Sequence, residues 1–100
     1  MRKYGKNTTR IQVRVGERFV LELPAFATGG FTWLLNREPE VAVLTQERIR
    51  PGGPGIGTSS VQEFEFAAIH AGASTLLVEY KRPWENVTGE RLEIEIVVEP

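Results

Sequence analysis

Apolar and polar residues alternate along most of this sequence with a period of two. In residues 63–66, for example, Phe64 and Phe66 alternate with Glu63 and Glu65. Successive side chains of a β-strand point to opposite faces of a sheet, so we expect the two phenylalanines to face inward and the two glutamates outward. The alternation predicts half-buried antiparallel strands rather than helices, whose apolar residues recur every 3.6 positions. We predict strands in residues 11–15, 18–23, 31–35, 41–49, 63–66, 76–80 and 91–99.

Turns rich in glycine and proline separate these strands. Seven short strands at this spacing, and no convincing helix, predict an all-β fold, an immunoglobulin-like β-sandwich with Greek-key connections. Trp33 would lie on the third strand, where we expect it to be a core residue. No linker or internal repeat interrupts the pattern, so we expect a single domain over residues 1–100.

The composition excludes several classes of function. The chain has no cysteine, no aspartate and one histidine, His70, which lies in a predicted turn. Disulfides, thiolate metal sites and a Ser-His-Asp triad are therefore excluded, and we expect no enzymatic activity, no metal and no cofactor. The net charge of −1 gives no sign of the basic surface that binds nucleic acid or an anionic membrane. No apolar run approaches the ~20 residues of a membrane span.

The amino-terminal segment, residues 1–9, is basic but is not followed by an apolar run, so it does not resemble a signal peptide. A chain without cysteine is compatible with either redox compartment. We expect a cytoplasmic location if the chain is complete as given. If a presequence has been removed, we expect a periplasmic, vesicular or secreted protein.

Glycine and proline dominate residues 52–57, which read GGPGIG and suggest at first a phosphate-binding loop. Such a loop must lead into a helix whose amino terminus holds the phosphate. A predicted strand follows here instead. We therefore interpret the segment as a flexible or tightly turned loop and expect no nucleotide to bind there.

Three connections between predicted strands are longer and more unusual in composition than the others. In a seven-stranded sandwich, the second-to-third, fourth-to-fifth and sixth-to-seventh connections emerge at the same end. Here these are residues 24–31, 50–60 and 81–90, whereas the turns at the opposite end are short. The asymmetry predicts that one end carries the function. Trp84 follows Pro83 on the last of the three, and we expect its ring to be exposed.

The three connections carry short motifs in a fixed order. Residues 26–33 read FATGGFTW, residues 55–58 read GIGT and precede QEFEF at 62–66, and residues 82–84 read RPW. Together these motifs resemble the loops of the chagasin family, which are inhibitors of papain-like cysteine proteases in protozoa, bacteria and archaea. The resemblance extends over nearly the whole chain.

The agreement differs among the three loops. The family's first loop typically reads Asn-Pro-Thr-Thr-Gly, then an aromatic residue, one further residue and Trp, and this chain departs from it at Phe26, Ala27 and Gly29. The second loop of the family carries Gly-x-Gly-Gly; here either the spacing to the next strand is longer or Ser59 and Ser60 replace glycines. The third motif matches completely.

The resemblance implies an immunoglobulin-like inhibitor whose three loops form a wedge. The wedge enters the active-site cleft of a papain-like cysteine protease, such as a cathepsin L-like enzyme, and blocks it reversibly and tightly without chemistry. The protease-binding residues that it implies are Ala27, Thr28, Gly29, Gly30, Phe31, Gly55, Ile56, Gly57, Thr58, Arg82, Pro83 and Trp84. We expect a monomer in the free state. The main alternative is an adhesion or assembly module that uses the same loops for another protein, and an enzyme based on His70 and a glutamate is a minor one.

Gly29 stands where the family usually has a second threonine. Glycine has more conformational freedom than threonine in an unbound loop. If the backbone φ at this position is negative, Gly29→Thr is expected to tighten binding by lowering the entropy cost of ordering the loop.

Overall fold

Two four-stranded sheets face each other in the computed structural model, which describes residues 1–26, 28–51 and 59–100. The strands are β1 (Arg2–Tyr4), β2 (Arg10–Arg14), β3 (Arg18–Phe26), β4 (Thr32–Arg37), β5 (Ala42–Pro51), β6 (Ser59–Ala68), β7 (Gly72–Lys81) and β8 (Thr88–Glu99). Sheet A has the strand order β1-β3-β6-β5, and sheet B has the order β2-β8-β7-β4. The all-β sandwich predicted from the sequence is confirmed.

The amino-terminal strands differ from the prediction in number and direction. β1 is an additional strand that pairs with β3 in parallel, with Arg2 opposite Phe19. β2 pairs with β8 in parallel, with Ile11 opposite Ile96, so the prediction that β2 would be antiparallel is wrong. Side chains alternate in both kinds of pairing, so a period of two does not specify the direction of the neighbouring strand.

The core lies between the two sheets and is filled by the inward-facing residues of the alternating segments. Trp33 exposes only 1% of its surface, which confirms its predicted place in the core. Phe66 stacks on Phe19 with 5.3 Å between ring centroids, and Phe64 is buried beside them in the same cluster. Because protein interiors are closely packed, this core forms a stiff base for the loops at its ends.

The outer face of sheet A carries two glutamates that are buried although they point away from the core. Glu63 and Glu65 expose only 4% and 7% of their surface. Arg48 Nε donates to one carboxylate oxygen of Glu63 at 2.7 Å, and Arg50 Nε donates to the other at 3.2 Å. Arg18 donates to Glu65 at 3.3 Å. The outward direction predicted from the alternation was right, but the long arginine side chains lie over the carboxylates and exclude water.

These contacts make the free energy of unfolding depend on pH in the acid range. The hydrogen bond from Arg48 lowers the pKa of Glu63 from 4.5 to about 2, with further contributions from Arg50. Because this pKa is lower in the folded than in the unfolded state, the carboxylate stabilises the fold fully above pH 4.5, and this contribution is lost as the pH falls towards 2. We expect the difference in the free energy of unfolding between the wild type and Glu63→Gln to shrink over that interval. Urea titrations between pH 2 and 7 would measure it, and a difference that does not depend on pH would contradict the assignment.

Candidate binding surface at one end of the sandwich

Three connections leave the sandwich at the same end. In sheet A, Phe26 at the end of β3 lies opposite Ser59 at the start of β6, and β5 ends beside them. In sheet B, Lys81 at the end of β7 lies opposite both Thr32 and Thr88. The hydroxyl of Tyr80 accepts a hydrogen bond from the backbone N–H of Phe26 at 3.2 Å and joins the two sheets there.

We call these connections the first loop (27–31), the second loop (52–58) and the third loop (82–87), and we call the end of the sandwich where their flanking strands end the loop end. They are shorter than the connections predicted from the sequence, because the flanking residues belong to strands. Of the predicted binding residues, Ala27, Gly55, Ile56, Gly57 and Thr58 lie outside the described residues. Thr28, Gly29, Gly30, Phe31, Arg82, Pro83 and Trp84 lie at the loop end.

The first loop contains two consecutive glycines with positive φ. Thr28–Gly30 form a short turn, in which Gly29 has φ 77° and ψ 4° and Gly30 has φ 78°. Glycine adopts this left-handed region without a steric penalty, whereas other L-residues are strained there by roughly 1–2 kcal/mol. The glycines therefore set the path of the backbone between β3 and β4.

A column of aromatic rings connects the core to the first loop. Tyr80 packs on the buried Trp33 with 4.9 Å between centroids, and Phe31 stacks on Tyr80 at 5.4 Å. The ring of Phe31 also lies against Gly89 of β8, where a β-carbon would come within 3.3 Å of it. Phe31 is therefore half-buried and packs within the protein.

Arg82 connects the third loop to the first. Its guanidinium carbon lies 4.6 Å from the ring centroid of Phe31, a distance typical of a cation–π contact. Its Nε donates a hydrogen bond to the carbonyl of Gly29, and its Nη1 lies 3.2 Å from a carboxylate oxygen of Glu85. The carbonyl of Arg82 accepts from the backbone N–H of Glu85 at 3.0 Å, which closes the turn of the third loop.

Trp84 lies on this turn with 72% of its surface exposed, as the sequence predicted. One edge of its indole contacts the first loop at Gly30, and a β-carbon on Gly30 would overlap the ring. Any side chain at position 30 would therefore have to displace Trp84. Gly30 gives the first loop its backbone path and leaves the space that the indole of the third loop occupies.

Gln62 is a buried side chain that connects the two sheets close to the loop end. Its side chain exposes 2% of its surface and reaches from β6 of sheet A to the start of β4 in sheet B. Oε1 accepts from the backbone N–H of Trp33 at 2.7 Å and from the hydroxyl of Thr32 at 3.1 Å, and Nε2 donates to the carbonyl of Trp33 at 3.1 Å. Because a buried amide must satisfy its hydrogen bonds, these contacts fix where β4 begins.

Sequence reasoning treated Phe26 only as a departure from the family motif. Phe26 is 53% exposed on the outer face of sheet A, directly before the first loop. The hydroxyl of Tyr80 holds its backbone by accepting from the N–H of Phe26 and donating to its carbonyl. The period of two could have predicted that Phe26 is exposed, since Leu23 and Ala25 face inward and position 26 must therefore face outward.

The described residues offer no obvious chemistry at this end. Within residues 1–26, 28–51 and 59–100, no three histidine, cysteine, aspartate or glutamate side chains come together in a way that suits a metal ion. His70 lies at the opposite end, in the turn between β6 and β7, where its backbone N–H donates to the carbonyl of Val41 at 3.3 Å. In the part of the chain that the structure describes, no helix is long and apolar enough to cross a membrane. The loop end is suited to binding through its shape and its exposed aromatic rings.

The structure reverses the expectation for Gly29→Thr. The φ of 77° does not meet the condition on which tighter binding depended, and a β-carbon there would approach Arg82 to 3.2 Å. We now expect Gly29→Thr to destabilise the first loop by roughly 1–2 kcal/mol, because a β-branched residue is strained in this region.

Thermal unfolding and partner-binding titrations of Gly29→Thr would test this prediction. Gly5→Thr is the control, because Gly5 has no positive φ and its β-carbon would meet open space. A Gly29→Thr variant that is as stable as Gly5→Thr would contradict the assignment.

The chain matches one protein family and shares its fold with several solved structures. A family model described as "Chagasin family peptidase inhibitor I42" matches residues 12–98. The cysteine protease inhibitor EhICP2 from Entamoeba histolytica superposes with a TM-score of 0.84 at 19% identity, covering 98% of this chain and 95% of its own. Amebosin superposes with a TM-score of 0.79 at 17% identity, covering 97% and 96%. PbICP-C, solved in complex with falcipain-2, gives 0.71 at 16% identity, covering 99% and 100%. No curated protein sequence matches the chain.

Proposed function

Because this chain belongs to the chagasin family of peptidase inhibitors, we propose that its loop end inserts into the active-site cleft of papain-like cysteine proteases and blocks it reversibly. Two of the structures that share its fold support this class of target. EhICP2 is described as a cysteine protease inhibitor, and PbICP-C was solved in complex with falcipain-2. The family match also favours inhibition over adhesion or assembly.

The single observation that carries the proposal is the coupling of the first and third loops. Arg82 bonds the carbonyl of Gly29 and lies over Phe31, while the ring of Trp84 lies against Gly30. A surface held in this way loses little conformational entropy when it binds, and this lowers the cost of association. The inhibitor therefore needs no reaction with the enzyme to bind tightly.

We assign different roles to the residues of this surface. The backbone of the first loop, with its two glycines, is narrow enough to approach the catalytic cysteine and histidine of an enzyme. Trp84 is the side chain that contacts the wall of the cleft, because tryptophan is enriched among the residues that dominate binding energy. Phe31 and Arg82 act mainly from inside the protein by holding the two loops in place. Ala27 and residues 55–58 of the second loop complete the proposed contact surface.

Inhibition assays with papain and a cathepsin L-like enzyme test the proposal. We expect competitive, reversible inhibition at micromolar concentration or below, and weaker binding to enzyme whose catalytic cysteine carries a bulky alkyl group that fills the cleft. A serine protease serves as the control and should be unaffected. If no member of a small panel of papain-like enzymes is inhibited, the proposal is wrong and the adhesion or assembly alternative is favoured.

A further inference from the structure

The network of charged side chains on the outer face of sheet A extends to the carboxyl end of β5. Arg50 is the last residue but one of β5, and the chain leaves the sheet after Pro51. β5 is an edge strand, so its only ladder within the described chain is with β6. An edge strand has backbone hydrogen bonds on one side only, and its ends open more easily than those of a central strand.

We propose that Glu63 is a positioning residue for the loop end, where it holds the carboxyl end of β5 in the sheet. This inference rests on the proposed function, because the loop end matters only if it binds a protease. Glu63 has almost no free surface with which to touch a partner, since it is 4% exposed. It acts through the two arginines of β5.

Arg50 joins three strands at this point. Its Nε donates to Glu63 of β6 at 3.2 Å, and its Nη2 donates to Glu22 of β3 at 2.7 Å. The side chain of Arg50 therefore reaches across β6 and ties the edge strand to the third strand of the sheet. Arg48, directly opposite Glu63, donates to the remaining carboxylate oxygen at 2.7 Å. Glu63 thus binds both arginines and orients the fork of Arg50 towards Glu22.

The glycine content of the second loop is the reason why a fixed end of β5 matters for binding. Four of the residues from 52 to 57 are glycines, which lose the most backbone entropy when they are ordered. Because glycine has no side chain that could hold it in place, we expect binding through this segment to depend on a fixed end of β5. Releasing the end of β5 would raise the entropy cost of binding.

Glu65 provides a matched control on the same strand and the same face. It is 7% exposed, and it also binds arginines, with Arg18 Nη1 at 3.3 Å and Arg48 Nη2 at 3.8 Å. It lies two residues further from the second loop and makes no contact with Arg50 among the ion pairs of the described residues. Glu65→Gln therefore removes a similar buried charge without releasing the end of β5.

The test compares the inhibition constants and melting temperatures of Glu63→Gln and Glu65→Gln. We expect Glu63→Gln to weaken inhibition of papain about tenfold, and Glu65→Gln less than about threefold, when both are assayed well below their melting temperatures. Equal effects on the inhibition constant would overturn the inference, because both variants would then act only through stability. An unchanged inhibition constant for Glu63→Gln would overturn it as well.

Arg50→Gln keeps the test decisive if Glu63→Gln does not fold, since the side chain of Arg50 is 47% exposed. We expect it to weaken inhibition to the same extent as Glu63→Gln, and the double variant to be no worse than either single variant, since the two residues act as a unit. Additive effects on the inhibition constant would contradict the inference. Wild-type protein that inhibits no papain-like enzyme would refute the proposed function itself, whereas an inhibitory wild type with unaffected variants would refute only this positioning role.

Discussion

Replacing Trp33 with alanine is expected to destabilise the protein by about 3–5 kcal/mol, the usual cost of removing a large aromatic side chain from a core. Trp33 exposes 1% of its surface and packs against Tyr80. Its Nε1 donates to the carbonyl of Pro24 at 2.9 Å, so the variant also loses a hydrogen bond between β4 and β3. For a domain of this size, the melting temperature should fall by at least about 12 °C.

The measurement is a pair of thermal or urea unfolding curves for Trp33→Ala and Trp84→Ala. The second variant makes the same chemical change at a position where 72% of the surface is exposed, so it controls for the loss of an indole as such. Its stability should change by no more than about 0.5 kcal/mol. If Trp33→Ala melts at the wild-type temperature, the packing of Trp33 in the core does not stabilise the fold, and the prediction is wrong.

Trp84→Ala is expected to weaken protease inhibition by about 2 kcal/mol or more, which is roughly thirtyfold in the inhibition constant. The reason is that the indole lies on a turn closed by the hydrogen bond between Glu85 and Arg82 and is held against Gly30, so it reaches a partner without much loss of freedom. Titration of a papain-like enzyme with each variant measures the effect.

The control for this prediction is Ile69→Ala, which removes an exposed apolar side chain at the opposite end of the sandwich. Ile69 is 39% exposed and follows the last residue of β6. We expect Ile69→Ala to inhibit like the wild type. Early melting of Trp84→Ala together with unchanged inhibition would mean that the ring packs within the protein and does not contact the enzyme.

Much of the fold could be predicted from the sequence because burial follows the alternation of side chains. The period of two placed Phe64 and Phe66 inward and located all but one of the strands, and both tryptophans lie where the sequence put them. β1 was missed because three residues are too few to show an alternation. The motifs around Thr28 and Trp84 also placed the candidate surface at one end, since these connections join strands that end together.

Other features of the candidate surface could not be predicted, because they depend on contacts between residues far apart in the chain. Arg82 and Phe31 are residue types that are common at protein interfaces, yet in the structure they pack on each other although they are 51 positions apart in the chain. The positive φ of Gly29 depends on the path of the backbone between β3 and β4. A glycine in a sequence permits this conformation but does not require it.

The sequence by itself determined the class of fold, the inward face of most strands and the end at which the loops gather. It did so because alternation and turn residues act locally, within a few positions of the chain. Only the tertiary structure decided the parallel pairing of β2 with β8, the burial of Glu63 beneath Arg48 and the contact between Trp84 and Gly30. Each of these features is a contact between residues that are far apart in the chain. The free energy of a buried charge, in particular, depends on which groups surround it in the folded protein.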